Sequence, residues 1–279
     1  MSTKKAALMR KSRWNMTNFS YKLGFIGAGN MGKAIASGIL SHGLLTENDI
    51  LMSDINPEAS FGNVKIVADA ANVLENCEYV ILSVKPQIFP SITDKVKASK
   101  CRCLISIMAG VAVKTIKDAA PQNAKVIRVM PNTPCSIGKG ITAIAQNDAG
   151  EECNTFTKRI FDTTGETVSL PEGLFDAVTG VSGSGPAYVY YFIRSMIRGG
   201  TDAGLSEDVA QKLTLATVQG AAEMVRRSSE SLDVLIDKVC SKGGTTIQAV
   251  NCFDEKDFDG TVREGMARCV ARSKELGKS

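Results

Sequence analysis

The sequence predicts an α/β protein in which a doubly wound parallel sheet is followed by an all-helical domain. The chain has 279 residues, 44% of them hydrophobic and 22% charged, which suits two soluble globular domains. From Lys22 short apolar runs alternate with helical patterns, and after Leu170 only helical patterns remain. Apolar runs joined by helices indicate a parallel sheet covered on both faces, because strands buried on each side show no polar alternation.

Five apolar runs are predicted to be strands. In chain order they are Leu23 to Ile26, Ile50 to Ser53, Tyr79 to Val84, Cys103 to Ile107 and Val126 to Met130.

The second half is predicted to form long helices that open at Pro186 and Ser206 and run from Phe258 to Glu275. Small and apolar residues at 209, 213, 216, 220 and 224 form one seam of the Ser206 helix, which suits close helix packing. Helices that are apolar around more than one stripe commonly bury that surface against a second copy. We therefore expect a homodimer as the minimum assembly.

Residues 1–20 are expected to be a disordered leader outside the folded body. They contain five basic residues and no acid, and they lack the apolar region of a secretory signal. A cloning leader or a start upstream of Met16 is favoured over a transit peptide. Removing these five from the 33 basic residues leaves 28 against 29 acidic residues. The nearly neutral body lacks the basic stripe that binds nucleic acid, so no nucleic-acid partner is expected.

Metal, membrane and disulfide chemistry are not predicted. No apolar run approaches the roughly 18 residues of a membrane-spanning helix, so no membrane partner is expected. The eight cysteines include no Cys-x-x-Cys pair, and His42 is the single histidine, which leaves no metal-ligand spacing. Buried reduced thiols indicate a cytoplasmic protein. Cys135 and Cys240 are interpreted as small apolar filling residues, with a nucleophile as the alternative for each.

A glycine-rich segment directly follows the first predicted strand. It reads Gly27-Ala28-Gly29-Asn30-Met31-Gly32 and opens a helix predicted over Ala34 to Leu40. In this motif the first glycine permits a tight turn, the second lets the backbone approach a pyrophosphate, and the third lets helix and strand pack closely. The helix amides and dipole then hold the phosphate charge. We expect a nicotinamide dinucleotide site here, with a ligand-free turn as the alternative.

Two more segments are expected at the cofactor. Asp54 lies 22 residues after Gly32, at the end of the second predicted strand, where an acid accepts the ribose hydroxyls of NAD and repels the 2′-phosphate of NADP. Ser53 suits either coenzyme, so the residues alone favour NAD. Lys85, within Ser83-Val84-Lys85-Pro86, stands where a doubly wound sheet places its ligands. An ordinary solvated lysine is the alternative.

The position of the histidine bears on the type of reaction. Oxidation of an alcohol uses a general base close to the carbinol. His42 lies 13 residues after Gly29, which is roughly 20 Å along a helix that rises about 1.5 Å per residue. We therefore interpret His42 as a surface or helix-capping residue. A cyclic imine can instead arrive protonated, and it needs only positioning and a site for its carboxylate.

A turn in the helical half offers such a carboxylate site. It reads Cys240-Ser241-Lys242-Gly243-Gly244-Thr245-Thr246 and precedes a helical run from Ile247 to Cys252. The glycines let the backbone curl, and the amides from Gly244 to Thr246 at a helix start can bind a carboxylate. The hydroxyls of Ser241 and Thr246 add donors. An ordinary capped turn between helices is the alternative.

Five segments together resemble the pyrroline-5-carboxylate reductase family. They are Gly27 to Gly32, Ser83 to Pro86, Met130 to Pro134, Val178 to Tyr188 and Ser241 to Thr246. The resemblance extends from Tyr21 onward, and the last three motifs are the specific ones. It implies a Rossmann doubly wound parallel sheet domain at 21–170 and an all-helical C-terminal domain at 171–279 that holds substrate and dimerises. Dimers of such families often assemble into larger rings.

The resemblance also implies a reaction and residue roles. The reaction is reduction of 1-pyrroline-5-carboxylate, a cyclic imino acid, to L-proline by NADPH or NADH, the final step of proline biosynthesis. The implied cofactor contacts are Ile26, Gly27, Ala28, Gly29, Asn30, Met31, Ser53, Asp54, Ser83, Val84, Lys85, Pro86, Ile107, Met108 and Ala109. The implied substrate contacts are Val239, Ser241, Gly244, Thr245 and Thr246.

Thr246 is the catalytic candidate that the resemblance implies, with its hydroxyl close to the ring nitrogen of the substrate. Because a threonine hydroxyl is a poor acid, its expected role is orientation or relay through water. Asn132 and the turn from Ser182 to Pro186 are implied to lie near the nicotinamide.

Three positions depart from the family pattern. Lys242 replaces the proline of the usual Ser-Pro-Gly-Gly, and Ala70 stands where an asparagine commonly reaches the cofactor, with Asn72 two residues on. At Asp54 members often carry a smaller residue or a following arginine. Two other interpretations stay open. One is a β-hydroxyacid dehydrogenase, for which the chain shows no comparable helical lysine facing an asparagine. The other is a nicotinamide-binding sensor without catalysis.

Overall fold

A computed structural model describes residues 19–56 and 58–277. The predicted leader lies outside these ranges except for its last two residues. The chain divides into two compact units. The first contains the chain through Gly183 and again from Val270 onward, and the second contains Ser184–Cys269. The predicted ranges, 21–170 for a cofactor-binding domain and 171–279 for a substrate-binding and dimerisation domain, describe functional domains rather than compact units. They therefore stay a prediction.

The first unit is built on a sheet of eight strands. They are β1 Tyr21–Ile26, β2 Ile50–Ser53, β3 Lys65–Val67, β4 Cys77–Leu82, β5 Cys103–Ser106, β6 Lys125–Met130, β7 Gly140–Ala145 and β8 Gly165–Leu170. Their order across the sheet is β3-β2-β1-β4-β5-β6-β7-β8. The pairs from β3 through β6 are all parallel. Strand β7 runs antiparallel to β6, and β8 runs parallel to β7.

Helices cover both faces of this sheet. They are α1 Asn30–Ser41, α2 Ala70–Asn76, α3 Thr93–Lys97, α4 Val113–Ala119, α5 Glu151–Asp162 and α6 Phe175–Val178. One core joins the strands to Ile35 and Ile39 of α1 and to Phe156 of α5. The other joins them to Leu74 of α2 and Ile116 of α4. This arrangement confirms the predicted doubly wound fold.

The sequence patterns missed three strands and placed the ends of two others too late. Strand β3 has only three residues, and β8 alternates polar residues along its length. Strand β7 is a short apolar run, which periodicity alone cannot distinguish from a buried helical segment. Strand β4 runs from Cys77 to Leu82 rather than from Tyr79 to Val84, and β5 ends at Ser106 rather than at Ile107. Ser83 and Val84 therefore belong to the loop that follows the strand.

A buried ion pair lies where β1 and β4 begin. Lys22 Nζ is 2.7 Å from Glu78 Oε2, and the two side chains are 4% and 6% exposed. The ammonium also lies 4.9 Å from the ring centroid of Tyr79 and 5.2 Å from that of Phe156. Arg102 NH1 approaches the other Glu78 oxygen at 3.5 Å. Glu78 is thus neutralised in a position almost closed to water.

The second unit is helical. Its helices are α7 Gly185–Asp202, α8 Glu207–Arg227, α9 Leu232–Val239, α10 Thr245–Glu255 and the first part of α11 Phe258–Leu276. Within the described part of the chain no strand follows Leu170, which confirms the helical prediction. Along α8 only Ala210 and Thr214 are buried, while Leu213 and Met224 of the predicted seam are 55% and 65% exposed. No helix in residues 19–56 and 58–277 combines the length and apolarity that crossing a bilayer requires.

Candidate cofactor and substrate sites

The glycine-rich turn after β1 has the geometry that its spacing predicts. Gly27 has a φ of +102°, and a Cβ there would lie 2.7 Å from the carbonyl oxygen of Ser83. A Cβ on Gly32 would lie 2.7 Å from the Gly27 carbonyl oxygen, whereas one on Gly29 would have no atom within 4 Å. The first and third glycines therefore permit backbone packing. The second leaves open space at the start of α1, where a pyrophosphate fits.

Asp54 binds the same turn. Its Oδ2 accepts a hydrogen bond from the Ala28 amide at 2.8 Å, and its Oδ1 accepts one from the Asn56 amide at 2.9 Å. These two bonds fix the carboxylate beside the glycine-rich turn. A ribose at this edge of the sheet would therefore meet an oriented negative charge.

Ser83 joins the loop after β4 to the loop after β1. Its hydroxyl donates to the Gly27 carbonyl at 2.7 Å and to the Ile26 carbonyl at 3.0 Å. Lys85 then precedes a short 3₁₀ helix, Pro86–Ile92. The carboxyl ends of β1 and β4 are neighbours at the point where the strand order reverses, and this crevice is where doubly wound sheets bind ligands.

A cavity of about 300 Å³ lies in this crevice. Eight of the predicted cofactor residues line it: Ile26, Gly27, Gly29, Ser53, Asp54, Ser83, Val84 and Lys85. Six further residues line it: Ile55, Ala68, Ala70, Ile88, Ile92 and Lys95. Ala70, which departs from the family pattern, is one of these six, whereas Asn72 does not line the cavity. The apolar residues show no motif, because they face the cavity only after α2 and the 3₁₀ helix have packed.

The other predicted cofactor residues surround this crevice without lining the cavity. Ala28 is buried, and Asn30 and Met31 begin α1. Pro86 begins the 3₁₀ helix. Ile107, Met108 and Ala109 follow β5 at the same edge of the sheet. The amide of Ile107 donates to the Leu82 carbonyl at 3.2 Å, which ties their turn to the end of β4.

Two of the specific motifs meet inside the first unit. A Cβ on Gly183 would lie 2.6 Å from Cε of Met130. Gly183 ends a π-helical turn, Thr179–Gly183, and such turns are frequent at functional sites. Asn132, 8% exposed, accepts a hydrogen bond from the Ile141 amide at 3.0 Å through Oδ1. That bond fixes the crossing from β6 to β7.

The predicted substrate residues lie in the second unit, from the end of α9 to the start of α10. The Gly244 amide donates to the Ser241 carbonyl at 2.9 Å, and Gly243 has a φ of +73°. This is the pattern of a type II β-turn, in which Lys242 occupies the position that proline often takes. Gly244 caps α10 without a side-chain hydrogen bond. The first amides of α10 therefore lack a capping side chain, and amides at such a helix start can bind an anion.

The single histidine takes no part in these sites. His42 ends α1, and its Nδ1 lies 2.9 Å from the carbonyl oxygen of Gly38. This confirms the interpretation of His42 as a helix-capping residue. Within the described ranges no three His, Cys, Asp or Glu side chains gather as metal ligands.

The doubly wound sheet, the glycine-rich turn and the acid after β2 define a nicotinamide-dinucleotide oxidoreductase of the Rossmann class. A family model described as NADP oxidoreductase, coenzyme F420-dependent, matches residues 22–110. A second model, described as pyrroline-5-carboxylate reductase dimerisation, matches residues 172–276. The helical region therefore belongs to a dimerisation domain, and the protein is a homo-oligomer.

Whole-chain relatives specify the family. Pyrroline-5-carboxylate reductase of Arabidopsis thaliana is 38% identical over 93% of this chain and 97% of its own length, and that of Escherichia coli K12 is 35% identical over 92% and 99%. The crystal structure of a Plasmodium falciparum pyrroline carboxylate reductase with NADP bound superposes with a TM-score of 0.87. It is 30% identical and covers 94% of this chain and 100% of its own. The chain belongs to the pyrroline-5-carboxylate reductase family.

Proposed function

We propose that this protein reduces 1-pyrroline-5-carboxylate to L-proline with NADPH or NADH. The observation that supports this most directly is the 38% identity to a pyrroline-5-carboxylate reductase over 93% of the chain. The crevice geometry agrees with it, because Gly29 leaves room for a pyrophosphate beside the start of α1. When bound, the reduced cofactor supplies a hydride to the imine carbon of the substrate. The imine nitrogen carries or receives one proton, and proline is the product.

The residues of this chain position and neutralise the substrate. The amides of Thr245 and Thr246 at the start of α10 bind the carboxylate, aided by the positive end of the helix dipole. The Thr246 hydroxyl orients the ring nitrogen or relays a proton to it through water. The turn from Ser241 to Gly244 sets the position of this helix start, and Val239 contacts the ring. Hydride transfer then depends mainly on orientation, which alone can contribute several kcal/mol to lowering a barrier.

The first experiment measures loss of reduced-nicotinamide absorbance with 1-pyrroline-5-carboxylate, separately with NADPH and NADH, and detects proline. Turnover to proline supports the proposal. Cofactor binding without turnover on any imine would favour the sensor interpretation. Activity on a hydroxyacid that is lost with one helical lysine would favour the dehydrogenase.

Thr246→Ala should lower kcat by about 100-fold, the lower end of the range for proton-transfer groups, while the Kd for reduced cofactor changes less than about twofold. Steady-state kinetics and cofactor fluorescence measure the two effects. Thr246→Ser keeps the hydroxyl and is expected to retain most of kcat. An unchanged kcat in Thr246→Ala would show that the hydroxyl has no part in the reaction.

Asp54→Asn should raise the ratio of kcat/KM for NADPH to that for NADH by about tenfold or more, because it removes a charge that repels a 2′-phosphate. Asparagine keeps one acceptor for the amides of Ala28 and Asn56, so the turn retains part of its support. Glu58→Gln, which removes an exposed acid four residues on, is the matched control. If both variants shift the ratio equally, the effect comes from net charge and not from Asp54.

We also propose the assembly and location. The exposed apolar residues of α8, among them Leu213 and Met224, pack against a second copy in a homodimer, and dimers assemble into a ring. The protein is cytoplasmic, which agrees with eight free cysteines of which five are buried. Nucleic acid is not a partner, in line with the near-neutral charge of residues 21–279.

A further inference from the structure

The turn Ile107–Ala109 lies on the side of the crevice opposite Asp54. Asp54 follows β2, on one side of β1, while this turn follows β5, beyond β4. Since the acid after β2 faces the adenosine ribose and the glycine-rich turn holds the pyrophosphate, the nicotinamide half extends toward β4 and β5. The position of this turn therefore bears on the reactive half of the cofactor. The inference that follows rests on the proposed function for that assignment.

The end of α11 covers the residue after this turn. Gly110 has a φ of +78°, and a Cβ there would lie 3.1 Å from Cβ of Leu276 and 3.2 Å from the Ser273 carbonyl oxygen. A Cβ on Gly277 would lie 2.5 Å from the Gly110 carbonyl oxygen. The two backbones are therefore in direct contact, so a shift of the last turn of α11 toward the loop would push against Gly110.

One hydrogen bond fixes that last turn. The Ser273 hydroxyl donates to Asp176 Oδ1 at 2.6 Å, and Ser273 is 4% exposed. Asp176 lies in α6 directly after Phe175, which is 1% exposed and in the core. Hydrogen bonds to a carboxylate are among the stronger ones in proteins. This bond thus joins α11 to a rigid part of the first unit.

The other end of the loop from Ile107 to Val113 is bound by Glu172, which lies four residues before Asp176. The Val113 amide donates to Glu172 Oε1 at 2.7 Å. Arg128 NH1 lies 3.2 Å from the same oxygen, and its guanidinium lies 4.9 Å from the ring centroid of Phe175. Glu172 therefore holds the loop from Ile107 to Val113 directly, at its end. Asp176 holds the same loop indirectly at Gly110, through Ser273.

We infer that Ser273, through Asp176, is a positioning residue that holds the Ile107–Ala109 turn against the nicotinamide half of the cofactor. Ser273 does not touch the cofactor itself. Its contribution is to keep the last turn of α11 seated on Gly110. Loss of its hydroxyl should weaken binding of the whole dinucleotide, while the adenosine half binds as before.

The test compares NADPH with adenosine 2′,5′-bisphosphate, a fragment that occupies only the adenosine half. Ser273→Ala in the full-length protein should raise the Kd for NADPH by about fivefold to tenfold, the effect of one lost hydrogen bond, and leave the Kd for the fragment unchanged. Asp176→Ala should raise the Kd for NADPH by the same factor, and the double variant should bind NADPH no more weakly than either single variant. Asp176→Asn keeps an acceptor oxygen and should bind NADPH as the unaltered protein does. Fluorescence and calorimetric titrations supply the four comparisons.

Arg272→Ala is the matched control, because it removes a neighbouring exposed side chain of α11 that pairs with Glu275 on the surface. It should bind NADPH as the unaltered protein does. Equal weakening for NADPH and the fragment in Ser273→Ala would show general destabilisation and overturn the inference, as would unchanged NADPH binding. Absence of proline formation by the unaltered protein would instead contradict the proposed function, since the binding comparison does not depend on turnover.

Discussion

Gly27→Ala is expected to raise the Kd for NADPH or NADH by about 100-fold or more, equivalent to roughly 2.8 kcal/mol. An alanine at a φ of +102° stores about 1–3 kcal/mol of backbone strain. Its Cβ would also lie 2.7 Å from the Ser83 carbonyl oxygen, so the loops after β1 and β4 must separate. Cofactor fluorescence titration and thermal unfolding measure binding and stability.

Gly29→Ala separates the two roles of these glycines. A Cβ at Gly29 meets no atom within 4 Å, so this variant should unfold at the temperature of the unaltered protein and yet bind the cofactor weakly, because its methyl group occupies the pyrophosphate space. Gly27→Ala should lose stability as well. If Gly27→Ala binds cofactor within about threefold of the unaltered protein, strain at this turn does not control the site.

Lys22→Met should lower the free energy of unfolding by about 3–5 kcal/mol and the Tm by roughly 6–20 °C. The substitution leaves the Glu78 carboxylate in a position almost closed to water, with Arg102 NH1 still 3.5 Å from its Oε1. Calorimetric and chemical unfolding measure the loss. The dinucleotide crevice lies at the opposite ends of the strands, so cofactor affinity below the Tm should stay unchanged.

Two variants test this explanation. Lys158→Met removes an exposed partner of Asp162, with side chains 60% and 42% exposed, and should cost less than about 1 kcal/mol. The double variant Lys22→Met with Glu78→Leu should recover most of the loss, because no charge then remains buried. A single Lys22→Met that is no worse than Lys158→Met would show that the buried pair contributes little.

The parts of the fold that follow from local sequence were predictable. The turn from Gly27 to Gly32 depends on glycine spacing after a strand, and helix α8 depends on Ser206 before two acids, so both appear in the chain itself. The strands β1, β2, β4, β5 and β6 are continuous apolar runs. Their order across the sheet could not be predicted from any single run, because it depends on which strands pair.

The parts that depend on contacts distant in sequence were not predictable. Nothing near Gly110 indicates that α11 covers it, because Leu276 is 166 residues away. The apolar wall of the cavity, formed by Ile88 and Ile92 among others, has no motif. Lys242 was identified as a departure, but only the backbone shows why lysine is tolerated there. A type II turn needs a glycine at Gly243 and accepts most residues before it.

The return of the chain at Val270–Gly277 has a consequence for biosynthesis. During translation at about 5–20 residues per second, roughly 8–33 s pass between synthesis of Gly110 and synthesis of Leu276. During that interval synthesis of the sheet of the first unit is completed, but the segment that covers Gly110 has not yet been made. The loop from Ile107 to Val113 therefore matures only after the helical half has left the ribosome, so a premature stop before Ser273 would leave the earlier-made half unfinished as well.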